Sequence, residues 1–375
     1  MMKVDSWDEF SPLESVYVGC WFDKEFFEDI RNPKIRDVLF KIADETKEDI
    51  EYFKRQLNSH GIEVLQSNPR ELGYHDSILD YVDMYGNIAY GTGNDNKINK
   101  NLIPHSPLEP RDNIVVMGNK IVNTFGEPHI RAHMNFFKER IGKEYVDERI
   151  LNTNFFFRRG DTLDKKLGIE NKHSLGGFCS PNITRVGKDC LVDIDQTPDI
   201  TPYLQHHYPE FRYKEISLSG HNDSIFCIVN PKLVLASVYL KEQRQDHVFK
   251  DTEVVYFDEP NWVNVKNFKR LRLKNLGKWW VPDEEDNDDF TNFVEQYLQK
   301  FVGQVDETVF DVNTLVLNDR YVVANCYSKD LFDALKRHKI EPIVCPLRHR
   351  FFFDGGWHCL TLDLKRTGGQ IDYNF

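Results

Sequence analysis

Residues 113–124, NIVVMGNKIVNT, contain the pattern that decides the fold of this chain. Two short runs rich in β-branched residues flank Gly-Asn-Lys, and this arrangement is typical of a β-hairpin. The pattern recurs as NITRVGKDCLVD at 182–193, IFCIVNPKLVLAS at 225–237 and NTLVLNDRYVVAN at 313–325. The sequence therefore predicts four hairpins spread along the chain.

Amphipathic segments lie before, between and after these hairpins, and their apolar residues recur at the three- and four-residue steps of helices. These segments are 41–60, 128–142, 289–302 and 328–338. Strand-like runs also lie near both ends, SVYVG at 15–19 and CLTLDLK at 359–365, and the two could complete a fifth unit together. We therefore predict a single α/β domain over residues 1–375, a closed propeller of five units rather than a doubly wound parallel sheet. No GxGxxG or P-loop motif is present.

The charge and composition argue against several kinds of partner. The net charge is −12 and the pI is about 5.6. Nucleic acid and anionic membrane surfaces attract Lys and Arg, so neither is an expected partner. No run approaches the ~18 apolar residues of a membrane span, and the first residues lack the apolar segment of a signal peptide. The seven cysteines are scattered and form no CxxC, which favours reduced thiols and no metal site. We expect a cytoplasmic protein.

Cys359 is the first candidate for chemistry, in the stretch FFFDGGWHCLTLDLKR at 351–366. A cysteine becomes a nucleophile when a base or positive potential favours its thiolate. Gly355 and Gly356 precede it, and glycine permits unusual backbone angles and the close approach of a ligand. Free cysteine is also among the most buried residue types. The residues alone therefore leave two interpretations open, a nucleophile and a small apolar core residue.

His221 and Asp223 form a second candidate, in Gly-His-Asn-Asp just before the apolar run at 225–237. At two residues apart in extended chain, both side chains would point to one face. Histidine is the usual acid or base near neutral pH, and the aspartate could orient it or bind a cation. Asp112, which opens the first hairpin, could pair with a planar guanidinium. The alternative for all three is an ordinary polar residue at a turn or a strand entrance.

Together these segments resemble the amidinotransferase family, which includes the glycine and inosamine-phosphate amidinotransferases. The resemblance rests on SPLESVYVG (11–19), EPRDNIVVMGNKIV (109–122), GHNDSIF (220–226) and DGGWHCLTLDLKRTG (354–368). The last segment is the most specific, since Gly-Gly-aromatic-His-Cys-x-Thr-x-Asp is a rare combination. The resemblance implies the five-bladed α/β propeller of the guanidine-modifying pentein superfamily, with ββαβ-type units around a central site. This fold agrees with the five units counted above.

The resemblance also implies a role for each candidate. Cys359 matches the nucleophile, His221 the general acid/base, and Asp112 and Asp223 the carboxylates that hold a guanidinium. The implied activity is transfer of an amidino group from a guanidine, L-arginine by family default, to a primary amine such as glycine, through a covalent Cys-amidino intermediate. No cofactor or metal is implied, and a homodimer is expected by analogy. The alternatives are a guanidine hydrolase or deiminase with the same Cys and His, and a catalytically weak binding protein.

The chain departs from the family at the partner of the catalytic histidine. The family has an aspartate there, and the aligned residue in this chain is Cys179. A neutral thiol stabilises an imidazolium less well than a carboxylate does. Asp223 or Asn182 could partly compensate; otherwise we expect His221 to be less basic and turnover to be lower.

Two further departures concern the substrate's carboxylate. The family arginine that binds it aligns with Leu240, next to Lys241, and a serine-containing segment aligns with Asp311, Val312 and Asn313. An apolar and an acidic residue disfavour a carboxylate and favour a cationic tail. We therefore expect a donor or acceptor other than the usual arginine–glycine pair, for example an amine-tailed guanidine such as agmatine, unless Lys241 takes the arginine's role.

Overall fold

The structure is a computed structural model. In the part of the chain that it describes, five three-stranded sheets form the framework. The described residues are 2–81, 105–124, 128–149, 177–218, 220–257, 279–302 and 312–373. The strands are β1 (Leu13–Val18), β2 (Glu63–Gln66), β3 (Ile114–Met117), β4 (Lys120–Asn123), β5 (Val146–Asp147), β6 (Ile183–Val186), β7 (Asp189–Asp193), β8 (Arg212–Ile216), β9 (Phe226–Asn230), β10 (Leu233–Ser237), β11 (Glu253–Phe257), β12 (Leu315–Val316), β13 (Tyr321–Ala324), β14 (Glu341–Val344) and β15 (Thr361–Arg366).

The helices of these residues lie between the strands. They are α1 (Pro33–Ser59), α2 (Pro128–Arg140), α3 (Ile200–His207), α4 (Asn222–Ile225), α5 (Val238–Glu242), α6 (Asp288–Tyr297), α7 (Lys329–Arg337) and α8 (Arg350–Phe353). No helix in the described ranges is both long and apolar enough to cross a membrane.

Every sheet follows one plan. The orders are β3-β4-β5, β6-β7-β8, β9-β10-β11, β12-β13-β14 and β15-β1-β2. The middle strand pairs antiparallel with the first and parallel with the third, as β4 does with β3 and β5. A parallel neighbour requires a crossover connection, and a helix supplies it in each unit, α2 in this case. The predicted ββαβ units of a five-bladed α/β propeller are therefore confirmed.

The first and last strands close the ring, as the sequence predicts. β1 pairs antiparallel with β15, where Tyr17 lies opposite Leu362 and Val18 opposite Thr361. In this sheet β15 takes the place of the first hairpin strand, although more than 340 residues of chain separate it from β1. The two ends of the chain are thus joined in one blade.

Two helices differ in extent from their predicted ranges. Helix α1 begins at Pro33 rather than residue 41, because the Asn32 side chain caps it by accepting a hydrogen bond from the backbone N–H of Lys34. Helix α6 ends at Tyr297 rather than 302, because Leu298 and Phe301 form a tight turn into the core. The α7 start is as predicted, with Ser328 as its N-cap.

The core lies between the sheets and the helices outside them. All four residues of β3 and all five of β7 and β10 are buried. Strands buried on both faces are expected where helices cover the outer face and other strands converge on the inner one. The fully buried strands therefore include both first strands of a hairpin, such as β3, and middle strands, such as β7 and β10.

A short lead-in turn precedes the first strand of each hairpin. The lead-in turns are 110–112 before β3, 180–182 before β6 and 222–225 before β9, which are helical, and the bend at 312–314 before β12 and the turn at 358–360 before β15. The first contacts the second, and the second contacts the third. Backbone and side-chain bonds described below join the remaining two, so the five turns form a ring at one end of the propeller.

Candidate active site

The thiol of Cys359 is held by two neighbouring lead-in turns. Asn313 Nδ2 donates a hydrogen bond to Cys359 Sγ at 2.9 Å, and Asn313 Oδ1 accepts from the backbone N–H of Cys359 at 3.3 Å. Asp223 Oδ2 lies 3.2 Å from the same sulfur and accepts its proton. Cys359 is only 2% exposed. The Cys359 sulfur is thus buried but has two polar side chains within hydrogen-bonding distance.

Asp223 Oδ2 also accepts a hydrogen bond from His358 Nδ1 at 2.8 Å. The other ring nitrogen of His358 lies 3.6 Å from Glu9 Oε2. Burial and Arg111 lower the pKa of His358, but its bonds to Asp223 and Glu9 outweigh them and raise it. Burial raises the pKa of Asp223 and of Glu9, but bonding to His358 brings both below their usual range. The favoured state is an imidazolium between two carboxylates.

Arg111 fixes the backbone around the thiol. Its Nε donates to the carbonyl oxygens of His358 and Thr361, at 2.8 and 2.9 Å, and its own backbone N–H donates to the carbonyl of Cys359 at 3.4 Å. Nη2 donates to Asp363 Oδ1 at 3.1 Å. The guanidinium therefore holds the last lead-in turn in shape and places positive charge close to Cys359.

Asp363 lies at the centre of three buried arginines. Arg366 Nε is 2.9 Å from Oδ2, Arg111 Nη2 is 3.1 Å from Oδ1, and Arg185 Nη2 is 3.4 Å from Oδ2. Burial raises the pKa of the Asp363 carboxyl, but the three positive charges outweigh it and hold the pKa well below its usual range. This ionic cluster joins β6 and β15 to the lead-in turn before β3.

His221 lies beside Cys179, the pair that the family alignment implies. His221 Nε2 is 3.1 Å from Cys179 Sγ, and both side chains are half-buried. Burial raises the pKa of Asp223, and the charge of His221, after the larger effect of His358, helps to lower it. Residues 222–225 form a helical turn rather than extended chain, so the predicted strand geometry for His221 and Asp223 is wrong. His221, as the N-cap residue of this turn, and Asp223, within it, still lie in the ring of lead-in turns.

The two remaining ring positions hold Asp112 and Asn182. Asp112 is half-buried at the end of the turn before β3. Asn182 is fully buried at the matching position before β6, and neither atom of its amide has a hydrogen-bond partner among the described residues. Both polar groups thus lie in the lead-in turns of their own units, as Asp223 does in its unit.

Gly355 and Gly356 are needed for packing of the protein itself. A Cβ at Gly356 would lie 2.6 Å from the backbone oxygen of Asn313 and 2.7 Å from Asn325 Nδ2. A Cβ at Gly355 would lie 2.4 Å from Glu109 Oε1 and 3.3 Å from Cys359 Cβ. Neither glycine has positive φ. The unusual backbone angles that the sequence suggested are therefore not adopted, and the absence of side chains instead lets Asn313 and Glu109 approach the backbone closely.

Leu240 and Lys241, at and next to the position of the family arginine, have neighbours other than the Cys359 cluster. Leu240 is completely buried in a hydrophobic cluster, and Lys241 lies over the Tyr256 ring with Nζ 5.7 Å from its centroid. Asp311 lies outside the described residues. Of the segment aligned with the family serine, Asn313 contacts the thiol.

Sequence analysis missed four residues of the site: Glu9, Arg111, His358 and Asp363. His358 and Arg111 are adjacent to predicted residues, and Asp363 is an acidic residue inside an apolar strand run. A charge in such a run is a usable signal of a buried ion pair. Glu9 precedes the first strand, and no local pattern marks it. Among the described residues, no cluster of three or more His, Cys, Asp or Glu side chains could hold a metal ion.

Sequence comparison connects the chain with amidinotransferases. No family model matches the chain. Glycine amidinotransferase, mitochondrial, of Xenopus laevis is 22% identical over 302 residues, covering 70% of this chain and 60% of that protein. Two relatives match over shorter segments. L-arginine:L-lysine amidinotransferase of Pseudomonas savastanoi pv. phaseolicola is 36% identical over 63 residues, which are 17% of either chain. Putative inosamine-phosphate amidinotransferase 2 of Streptomyces griseus is 32% identical over 68 residues, which are 18% of this chain and 20% of that protein. The chain spans 60% of the length of the glycine amidinotransferase that it matches. The resemblance inferred from the motifs is thereby confirmed.

Solved structures show the same fold. Inosamine-phosphate amidinotransferase StrB1 from Streptomyces griseus has a TM-score of 0.62 at 17% identity, with 100% of both chains covered. SxtG, an amidinotransferase from Microseira wollei in the saxitoxin biosynthetic pathway, has a TM-score of 0.60 at 17% identity, with 99% of both covered. An agmatine deiminase from C. jejuni has a TM-score of 0.53 at 11% identity, covering 98% of this chain and 97% of that one. The chain therefore has the α/β propeller fold of the pentein enzymes.

Proposed function

We propose that the protein is an amidinotransferase that uses Cys359 as its nucleophile. One observation carries the proposal. Asp223 Oδ2 is 3.2 Å from the Cys359 sulfur, while Oδ1 of the same carboxylate is buried and has no hydrogen-bond partner among the described residues. A buried carboxylate oxygen without a donor is costly, and a guanidinium N–H would satisfy it directly beside the thiol. The amidinotransferases among the similar proteins support the same chemistry.

The first half-reaction loads the amidino group onto sulfur. Asp223 and Asp112 hold the planar guanidinium, and the charges of the guanidinium and of Arg111 favour the thiolate. Cys359 gives its proton to His221, and its sulfur attacks the central guanidine carbon. The S–C bond forms, the C–N bond to the leaving amine breaks, and His221 returns the proton to that amine. The products are a cationic amidino-cysteine and a free amine.

The second half-reaction reverses these roles. A neutral primary amine attacks the amidino carbon, a new C–N bond forms and the C–S bond breaks. The proton lost by the amine passes through His221 to the Cys359 sulfur, which restores the thiol. Water would give a urea-type product from the same intermediate, so the burial of Cys359 favours transfer by keeping water away.

The departures from the family bear on the donor. L-arginine is the default donor, as the name of the Pseudomonas relative indicates. Leu240 is buried and supplies no cation for a carboxylate, which favours a guanidine with a neutral or cationic tail, such as agmatine. Profiling L-arginine against agmatine at equal concentration tests this. Efficient use of L-arginine, together with unchanged selectivity in Asp311→Ser, would rule out the altered tail preference.

Product analysis separates the proposed transfer from the alternatives. Purified protein is incubated with a guanidine donor, with and without glycine or lysine as acceptor, and the products are quantified by mass spectrometry. We expect a guanidinylated amine whose amount rises with acceptor concentration. Acceptor-independent release of urea or ammonia would instead establish a hydrolase or deiminase. Absence of every product while guanidines still bind would establish a binding protein.

A further inference from the structure

The N-terminal strap, residues 5–10, crosses the propeller at the end opposite the lead-in turns. The backbone N–H of Ser6 donates to the carbonyl of Gly118, in the hairpin turn between β3 and β4, at 2.8 Å. Asp8 bridges to Val186 at the end of β6, and Asp5 bridges to Lys365 of β15. The strap therefore connects three blades underneath the site.

One side chain of the strap, that of Glu9, points towards the interior of the propeller. The Glu9 carboxylate is largely buried, with Oε1 3.5 Å from Arg185 Nη2 and 4.0 Å from Arg111 Nη1. Its other oxygen, Oε2, lies 3.6 Å from His358 Nε2. Glu9 thus brings negative charge from the far end of the molecule to the ring that carries His358.

His358 connects this carboxylate to the second one. Its Nδ1 donates to Asp223 Oδ2 at 2.8 Å, the same oxygen that accepts the Cys359 thiol proton. With both donors on Oδ2, the carboxylate cannot rotate without breaking two bonds, and Oδ1 keeps its unpaired position. The raised pKa of His358 and the lowered pKa values of Glu9 and Asp223 agree with a charged histidine between two carboxylates.

We propose that His358, held by Glu9 of the N-terminal strap, is a positioning residue that fixes the Asp223 carboxylate for binding a guanidine. This inference rests on the proposed function and assigns the two residues a role in that site. His358 itself transfers no proton in the reaction. It orients Asp223 Oδ1 towards the substrate. Its positive charge also balances the negative charge of Glu9, the second buried carboxylate beside it.

Two substitutions of His358 separate the loss of its hydrogen bond to Asp223 from the effect of changing the size of the side chain. His358→Asn can place an amide N–H where Nδ1 now donates to Asp223. His358→Gln moves the amide outwards, towards Glu9, and loses that donor. We measure the rate at which the Cys359 peptide gains one amidino group, by quenched mass spectrometry, over a range of L-arginine or agmatine concentrations.

We expect His358→Gln to raise the half-saturating guanidine concentration roughly 10-fold, as for loss of a hydrogen bond to a charged group, with a smaller change in the saturated rate. His358→Asn should stay within about 3-fold of the wild type, since the donor is restored. His349→Gln is the matched control, because His349 is also buried and pairs with a carboxylate, Glu45, at 2.7 Å. It should lower the melting temperature and leave the half-saturating concentration unchanged.

Equal half-saturating concentrations for wild type and His358→Gln would overturn the proposal, as would an equal increase for the Gln and Asn variants. Should His358→Gln fail to fold, Glu9→Gln answers the same question. It removes the negative charge that holds His358, so it should raise the half-saturating guanidine concentration several-fold. An unchanged value in Glu9→Gln would then overturn the role of the strap. Failure of the proposed function is distinguishable, since the wild-type Cys359 peptide would then gain no amidino group from any guanidine.

Discussion

Replacing Asp363 by Asn tests the ionic cluster beneath Cys359. The Asp363 carboxylate is fully buried and contacts Arg366 at 2.9 Å, Arg111 at 3.1 Å and Arg185 at 3.4 Å. Asn has almost the same size, so no cavity forms and the loss is electrostatic. Arg111 and Arg185 would then keep only the more distant Glu9 as an acidic partner among these contacts, and Arg366 would lose the acidic partner that it has in them.

The expected loss is about 3–5 kcal/mol of unfolding free energy, the usual cost of removing one partner from a buried ion pair. Urea denaturation followed by tryptophan fluorescence and circular dichroism measures it, provided that the two transitions coincide. Urea is preferred to guanidinium chloride, because a guanidinium ion is itself a candidate ligand. Asp333→Asn is the control, since this exposed residue pairs with Lys329 on the surface and its loss should leave the midpoint unchanged. A loss below about 1 kcal/mol for Asp363→Asn would refute the reasoning.

Three further predictions follow from the same contacts. Cys179→Asp should raise turnover roughly 10-fold by stabilising the imidazolium of His221, 3.1 Å away; a steady-state rate equal to or below that of the wild type would contradict this. Gly356→Ala should cost about 1–3 kcal/mol and slow labelling of the thiol, because the new Cβ displaces Asn313; thermal melting and labelling rates check both. The lowered pKa of Asp363 means that the folded state binds fewer protons than the unfolded chain, so its stabilisation is complete above about pH 4 and is lost as pH falls further; a melting temperature independent of pH from 5 to 3 would exclude this.

Local sequence patterns were sufficient to predict the blades. Each hairpin carries its own turn residues and β-branched runs, so the pattern at 113–124 specifies β3 and β4 without reference to the rest of the chain. The pairing of β1 with β15 was also predictable, because both strands lacked a local partner. Helix starts depended on caps such as Asn32, and periodicity alone placed α1 too late.

The site was predictable where one motif carries several of its residues. Cys359, His221, Asp223 and Asp112 lie in segments that resemble the family, and the structure brings their turns into one ring. Glu9 was not predictable, since it approaches His358 from 349 positions away along the chain and belongs to no strand or helix of the repeat.

The surroundings of two kinds of residue could not be predicted from the sequence. Leu240 lies inside the hydrophobic core, because α5 turns that side chain towards the core. The atoms closest to Gly355 belong to Glu109 and Cys359, and those closest to Gly356 belong to Asn313 and Asn325. Except for Cys359, these neighbours are far away along the chain, so local sequence spacing does not reveal them.

Mass spectrometry of Cys359 tests the central claim most directly. The protein is incubated with L-arginine or agmatine without an acceptor, quenched in acid and digested. We predict that the Cys359 peptide gains one amidino group, that Cys359→Ser gains none, and that adding a primary amine removes the group and yields the guanidinylated amine. An amidino group on another cysteine, such as Cys227, or none on Cys359 with any guanidine, would contradict the account.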